Sequence, residues 1–66
     1  MQITLNGETR MLPGELTVAA LLHELGLAEK RVAVERNGVI VPRSRHAETA
    51  VAEGDRIEIV HAIGGG

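Results

Sequence analysis

Cysteine, phenylalanine, tyrosine and tryptophan are all absent from this chain. Without thiols it can form no disulfide, no thiolate-bound zinc or iron-sulfur site, and no cysteine nucleophile. Its core has to be built from leucine, isoleucine, valine, alanine and methionine, without the large buried area that aromatic rings supply. A length of 66 residues is near the lower limit at which one apolar core offsets chain entropy, so we expect a single domain.

No stretch of the chain collects charge of one sign. The formal net charge is -2, with both signs scattered along the sequence, and this pattern gives no basic surface for nucleic acid or for an anionic membrane. The start, Met1-Gln2-Ile3-Thr4, lacks the charged and apolar regions of a secretory signal, and no apolar run approaches bilayer-spanning length. We therefore expect a cytoplasmic protein that binds neither nucleic acid nor membrane.

Two Asn-Gly dipeptides each separate two short segments of extended pattern. Asn and Gly both tolerate the positive φ angles that a two-residue hairpin turn requires, so each dipeptide predicts a β-hairpin. The first hairpin joins Gln2–Leu5 to Glu8–Met11 through Asn6-Gly7. The second joins a strand that begins at Arg31 to Val39–Val41 through Asn37-Gly38, and Pro42 ends it.

Between the hairpins, the spacing of apolar residues predicts one helix. Thr17 is suited to cap its N-terminus and Gly26 to cap its C-terminus. Four apolar residues recur at i, i+3, i+4 and i+7, which places them on one helix face that we expect to pack on the sheet. They are Val18, Leu21, Leu22 and Leu25.

A last strand is predicted over Arg56–Val60, after a weakly patterned stretch, 43–52, that we expect to be a loop with a helical turn. The order hairpin, helix, hairpin, strand is typical of an α+β fold in which one helix covers one face of one sheet. We interpret it as a ubiquitin-like β-grasp with a mixed sheet of about five strands, the first and last of them parallel at its centre. Residues 1–63 are assigned to this domain and residues 64–66 to a flexible C-terminal glycine tail.

The glycines Gly64, Gly65 and Gly66 have no fold-forming value, because glycine has a high conformational entropy cost and no side chain to bury. They are either a frayed end or a functional tail that is thin enough to thread into another protein's active site. The group that such a tail carries is the α-carboxylate of Gly66. Reaction of this carboxylate with the α-phosphate of ATP gives a mixed anhydride, which a sulfur nucleophile can open to a thiocarboxylate.

Four motifs, spread over essentially the whole chain, resemble the thiamin-biosynthesis sulfur carrier family, ThiS. They are Val34-Glu35-Arg36-Asn37-Gly38, Ile40-Val41-Pro42-Arg43, Gly54-Asp55-Arg56-Ile57-Glu58-Ile59-Val60 and Ile63-Gly64-Gly65-Gly66. The terminal glycines are shared with other ubiquitin-like carriers and modifiers, whereas the other three motifs are the more specific part of the resemblance.

The resemblance implies a carrier rather than an enzyme. Gly66 would be adenylated by a ubiquitin-activating-like enzyme that uses ATP, and then converted to a thiocarboxylate with sulfur from a persulfide enzyme. Thiazole synthase would take this sulfur for the thiazole ring. The chain itself would bind no cofactor.

The three histidines, His23, His46 and His61, are too far apart and too little supported by neighbouring acids to match a metal motif. We interpret them as surface residues and expect no metal. His61 also lies on the approach to the glycine tail.

Candidate partner contacts precede the tail. Val60, Ala62 and Ile63 break the alternation at the end of the last strand, which predicts that at least one apolar side chain faces water. Together with His61 they are the residues that we expect to touch a partner enzyme.

Two other functions fit the same sequence. One is a related β-grasp carrier that supplies sulfur to molybdopterin or to tRNA thiolation, with the same chemistry at the tail. The other is a non-covalent β-grasp binding module that presents its sheet to a partner and uses no terminal chemistry.

Overall fold

Seven strands, one α-helix and one 3₁₀ helix make up residues 1–61, the part of the chain that the computed structural model describes. The strands are β1 (Gln2–Leu5), β2 (Glu8–Met11), β3 (Leu16–Thr17), β4 (Val32–Arg36), β5 (Val39–Val41), β6 (Ala50–Val51) and β7 (Arg56–His61). The helices are α1 (Val18–Glu24) and the 3₁₀ helix Arg43–Arg45.

Five of the strands form one mixed sheet in the order β2-β1-β7-β4-β5. The first and last strands, β1 and β7, are parallel neighbours, with Leu5 opposite Ile57, and β7 is antiparallel to β4, with Val34 opposite Ile59. The predicted β-grasp sheet is therefore confirmed, including the two central parallel strands. The last strand runs one residue further than predicted, to His61.

Both Asn-Gly dipeptides form the hairpin turns that the sequence predicts. Asn6 has a φ of 50° and Asn37 a φ of 53°, and the glycine that follows each of them has a φ of 84°. Positive φ at both central residues is the geometry of a type I′ turn, whose twist matches that of the flanking strands.

Helix α1 begins as predicted, because the Thr17 hydroxyl oxygen accepts a hydrogen bond of 3.1 Å from the Ala20 N–H. Its C-cap, however, is Leu25 and not Gly26. Gly26 follows the cap at a φ of 74°, in the left-handed conformation that commonly ends helices one residue beyond the cap.

The core lies between α1 and one face of the sheet. Three of the four predicted apolar residues of the helix are buried there, and Leu25 packs against them in a partly buried position. The sheet contributes Ile3, Val34, Ile57 and Ile59, which alternate with more accessible residues along their strands. The buried residues are Ile3, Leu12, Val18, Leu21, Leu22, Val34, Val41, Val51, Ile57 and Ile59.

A second, two-stranded sheet was not predicted. In it β3 pairs with β6, with Leu16 opposite Val51. The predicted loop over 43–52 does contain a helical turn, the 3₁₀ helix, but it also contains β6. Two-residue strands are too short to show a period of two, so tertiary pairing and not local pattern determines them.

Candidate functional site

The strand that leads to the glycine tail, β7, lies in the middle of the sheet, with β1 on one side and β4 on the other. Its last residue, His61, pairs with Val32 at the start of β4. Val60 and His61 are both exposed, and successive residues of a strand point to opposite faces. His61 is therefore on the α1 side of the sheet and Val60 on the open side.

Asn6 holds β7 beyond the point where β1 ends. The Asn6 backbone N–H donates to the Ile57 carbonyl at 2.9 Å. Its side-chain Oδ1 accepts from the Ile59 N–H at 2.8 Å, and its Nδ2 donates to the Ile59 carbonyl at 3.2 Å. One asparagine side chain thus replaces a strand residue in the parallel ladder and fixes the backbone two residues before His61.

Asn37 holds the other end of β7 in a similar way. Its Oδ1 accepts from the Arg56 N–H at 2.9 Å, and its Nδ2 donates to Asp55 Oδ1 at 3.0 Å. Asp55 Oδ2 also accepts from Arg36 Nε at 2.7 Å and from the Ala52 N–H at 2.8 Å. The Asp55 carboxylate therefore ties the turn after β4 to the start of β7.

Asp55 is only 6% exposed, yet it is held in its charged form. Burial by itself raises the pKa of this carboxyl. Hydrogen bonds from the Ala52 N–H, Asn37 and Arg36, together with the charge of Arg36, outweigh burial and lower the pKa below its usual value.

Replacing Asn6 with glycine should loosen the end of β7 without disturbing its start. Glycine keeps the positive φ of the turn but removes both side-chain hydrogen bonds to Ile59. We expect the free energy of unfolding to fall by about 1–2 kcal/mol and the Ile59 amide hydrogen to exchange faster. Asn37→Gly is the matched control and should cost a similar amount while leaving Ile59 protected. Equal Ile59 exchange in the two variants would contradict the role given to Asn6.

A groove of about 300 Å³ lies beneath the end of β7, on the α1 side of the sheet. It is lined by Leu5, Leu25, Leu27 and Ile59 together with Asn6 and His61, so that polar and apolar atoms contribute about equally to its surface. Val60 lies on the opposite side of the sheet, so one flat partner surface cannot cover both Val60 and this groove.

Of the predicted site residues, Val60 and His61 lie within the described part of the chain. Val60 is 60% exposed, which meets the condition that an apolar side chain near the tail faces water. Ala62, Ile63, Gly64, Gly65 and Gly66 lie outside the described residues. Partner contact and tail threading therefore stay predictions.

The prediction that all three histidines are surface residues is wrong for His46. This residue is 8% exposed, and its Nε2 lies 3.0 Å from the Val41 carbonyl oxygen. It ties the 3₁₀ segment to β5, a contact that the weak pattern of the sequence there does not indicate. His23 and His61 are exposed.

Residues 1–61 hold no group of three or more histidine, aspartate or glutamate side chains placed to bind a metal ion. None of the helices in that part of the chain combines the length and the apolar character that crossing a bilayer requires.

Known proteins match this chain over most or all of its length. The model of the ThiS family matches residues 3–66. The thiazole synthase of Paramagnetospirillum magneticum is 53% identical over 66 residues, which are 100% of this chain and 20% of that protein. The sulfur carrier protein ThiS of Bacillus subtilis is 44% identical over 50 residues, 76% of each chain. The chain therefore spans about a fifth of the length of the first of these relatives.

Solved structures agree with the fold. The crystal structure of the thiamine biosynthesis protein ThiS from Geobacter metallireducens superposes with a TM-score of 0.88 at 36% sequence identity, and the match covers 100% of both chains. The family match, the sequence identity and the shared architecture lead to one conclusion: the chain belongs to the ThiS family.

Proposed function

We propose that this chain is a cytoplasmic sulfur carrier for thiamin thiazole synthesis, with the α-carboxylate of Gly66 as the group that carries the sulfur. The observation that supports this most directly is the position of β7. The strand that precedes the glycines is central in the sheet, and it ends at an exposed residue, His61. Its backbone direction is fixed on one side by Asn6 and on the other by β4.

The proposed chemistry takes place in partner enzymes. An adenylating enzyme of the ubiquitin-activating type would join the Gly66 carboxylate to AMP and release pyrophosphate from ATP. A persulfide would then attack the acyl carbon and displace AMP, and a thiol would cleave the resulting sulfur-sulfur bond to leave the thiocarboxylate. The chain supplies reach and a recognisable body, whereas the enzymes supply phosphate binding and transition-state stabilisation.

Thiazole synthase is the proposed acceptor of this sulfur. The thiazole synthase of P. magneticum contains a stretch that matches the whole of this chain. A carrier and a synthase that occur within one polypeptide in a relative support the proposal that they meet when they are separate chains.

Intact-mass spectrometry tests the proposal. The purified chain is incubated with the adenylating enzyme, ATP and a persulfide donor, and the variant without Gly66 serves as control. We expect a mass gain that equals the exchange of one oxygen for one sulfur, present in the wild-type chain and absent from the variant. No gain with an enzyme that thiolates another ThiS protein would overturn the carrier proposal and favour the binding module.

A second step separates the acceptors. The thiocarboxylate form is mixed with thiazole synthase and its small-molecule substrates, and thiazole formation is followed. Sulfur transfer supports the thiamin role. A stable thiocarboxylate that thiazole synthase leaves untouched would instead favour a related carrier for molybdopterin or tRNA thiolation.

A further inference from the structure

The end of β7 is held by a strand on one side and by a single side chain on the other. On the β4 side, pairing continues to the last residue of the strand, where His61 is opposite Val32. On the β1 side, strand pairing stops at Ile57, because β1 ends there. Beyond that point the side-chain amide of Asn6 bonds to the N–H and to the carbonyl of Ile59. This amide therefore extends the β1 side of the ladder towards the tail.

Few residue types could do this at position 6. The hairpin turn requires a φ of 50° there, which glycine, asparagine and aspartate tolerate best. Of these three, glycine has no side chain and an ionised aspartate has no side-chain hydrogen to donate, so asparagine alone offers both a donor and an acceptor. Both polar atoms of the Asn6 amide are engaged with Ile59, which gives the residue a task beyond turning the chain.

Asn37 occupies the same position in the second hairpin and provides an internal comparison. Its φ of 53° is nearly the same, and its side chain also makes two hydrogen bonds, to Arg56 and to Asp55. These bonds lie at the start of β7, at the opposite end of the strand from the tail. The two asparagines therefore have the same turn geometry and differ in which end of β7 they hold.

We propose that Asn6 is a positioning residue for the reactions of Gly66, because by fixing Ile59 it sets the direction in which the tail leaves the folded body. The inference rests on the proposed function. Gly64 and Gly65 have no side chains through which an enzyme could correct the path of the tail. The direction in which the Gly66 carboxylate is presented is therefore determined where the backbone is last held, at the end of β7.

The length of the segment beyond Ile59 makes this direction important. Gly66 is seven residues further along the chain, and a fully extended segment of that length spans about 24 Å. A change of roughly 10° in direction at its origin would move its far end by about 4 Å, whereas a displacement of about 1 Å in a reacting group can slow a reaction ~100-fold. Once the body is docked, a loosened β7 presents the carboxylate correctly in fewer of the bound complexes, so kcat falls and KM does not.

Asn6→Gly tests the proposal, with Asn37→Gly as its matched control. Each variant keeps the positive φ of its turn and loses two side-chain hydrogen bonds, so the two should lose similar stability. Adenylation by the partner enzyme is measured as pyrophosphate release, at a temperature at which circular dichroism shows both variants fully folded. We expect Asn6→Gly to lower kcat on the order of tenfold with KM little changed, and Asn37→Gly to keep the wild-type values of both.

Sulfur transfer gives a second, independent measurement. The wild type and both variants are incubated until they are fully converted to the thiocarboxylate, and each is then mixed with thiazole synthase and its small-molecule substrates. The direction of the tail matters in both active sites, so kcat of the transfer should also fall for Asn6→Gly and not for Asn37→Gly. A side chain that touches only one of the enzymes would instead change KM with that enzyme alone.

The outcomes separate this inference from the proposed function. Failure of the wild-type chain to be adenylated would overturn the proposed function and the inference with it. Normal wild-type kinetics with equal kcat in Asn6→Gly and Asn37→Gly would overturn the inference alone. A change confined to KM, or to one of the two enzymes, would also overturn it, because Asn6 would then be a contact residue and not a positioning residue.

Discussion

Replacing Gly65 with leucine should reduce thiocarboxylate formation by more than about 100-fold while the stability of the fold stays unchanged. The proposed channel in the partner admits a tail without Cβ atoms, and a branched side chain next to Gly66 would displace the carboxylate from the ATP phosphate. A displacement of about 1 Å in a reacting group is enough for an effect of this size. Thiolation is followed by intact mass and stability by thermal unfolding.

Gly14→Leu is the matched control for this substitution. Gly14 has an ordinary backbone conformation, and a Cβ added there would meet no atom within 4 Å. The leucine is thus tolerated by the fold, and this variant should be thiolated at the wild-type rate. If the Gly65→Leu chain is thiolated as fast as the Gly14→Leu chain, the proposal that the partner's channel admits only a tail without side chains is contradicted.

Replacing Asp55 with alanine should produce the largest loss of stability among the polar substitutions considered, about 2–4 kcal/mol. It leaves Arg36 Nε, Asn37 Nδ2 and the Ala52 N–H without their acceptor, and each lost hydrogen bond costs about 1 kcal/mol. A domain of this length has a total stability of roughly 3–10 kcal/mol. Urea unfolding should therefore show a large fall in the midpoint.

The contribution of Asp55 should also depend on pH in one direction. Its pKa is lower in the folded chain than in the unfolded chain, so the ionised carboxylate stabilises the fold above the unfolded pKa of about 3.9. This stabilisation is lost as the pH falls through the lower, folded value. The difference in unfolding free energy between the wild type and Asp55→Asn should therefore be constant from pH 7 to about pH 5 and close below pH 4. A difference that persists at pH 2 would show that the charge does not matter.

The main elements of the fold follow from local patterns. Asn6-Gly7 and Asn37-Gly38 fix the hairpins because both dipeptides occupy the positive φ region themselves. The helix follows from apolar spacing after a Thr17 cap. The parallel pairing of β1 and β7 cannot be inferred from local pattern alone. It can be inferred from the order of elements, because few arrangements of that order let one helix cover one sheet.

The contacts that act between distant residues could not be predicted in this way. The hydrogen bonds between Asn6 and Ile59 and between Arg36 and Asp55 join residues that are 53 and 19 positions apart. The local sequence does not show whether the side chain of a turn asparagine also bonds to a distant strand. The same holds for the burial of His46. That Glu35 lies directly opposite Glu58 likewise becomes visible only when β4 and β7 are placed in register.

The central position of β7 has a consequence for synthesis of the chain. Among the described strands β7 is the last in the chain, and it joins the two halves of the sheet. A nascent chain that stops before residue 56 therefore has two hairpins without any strand pairing between them. Pairing that spans almost the whole chain also forms late and slowly during folding. A chain truncated before residue 56 therefore lacks the middle of its sheet, and we expect it to be cleaved by proteases much faster than the complete domain.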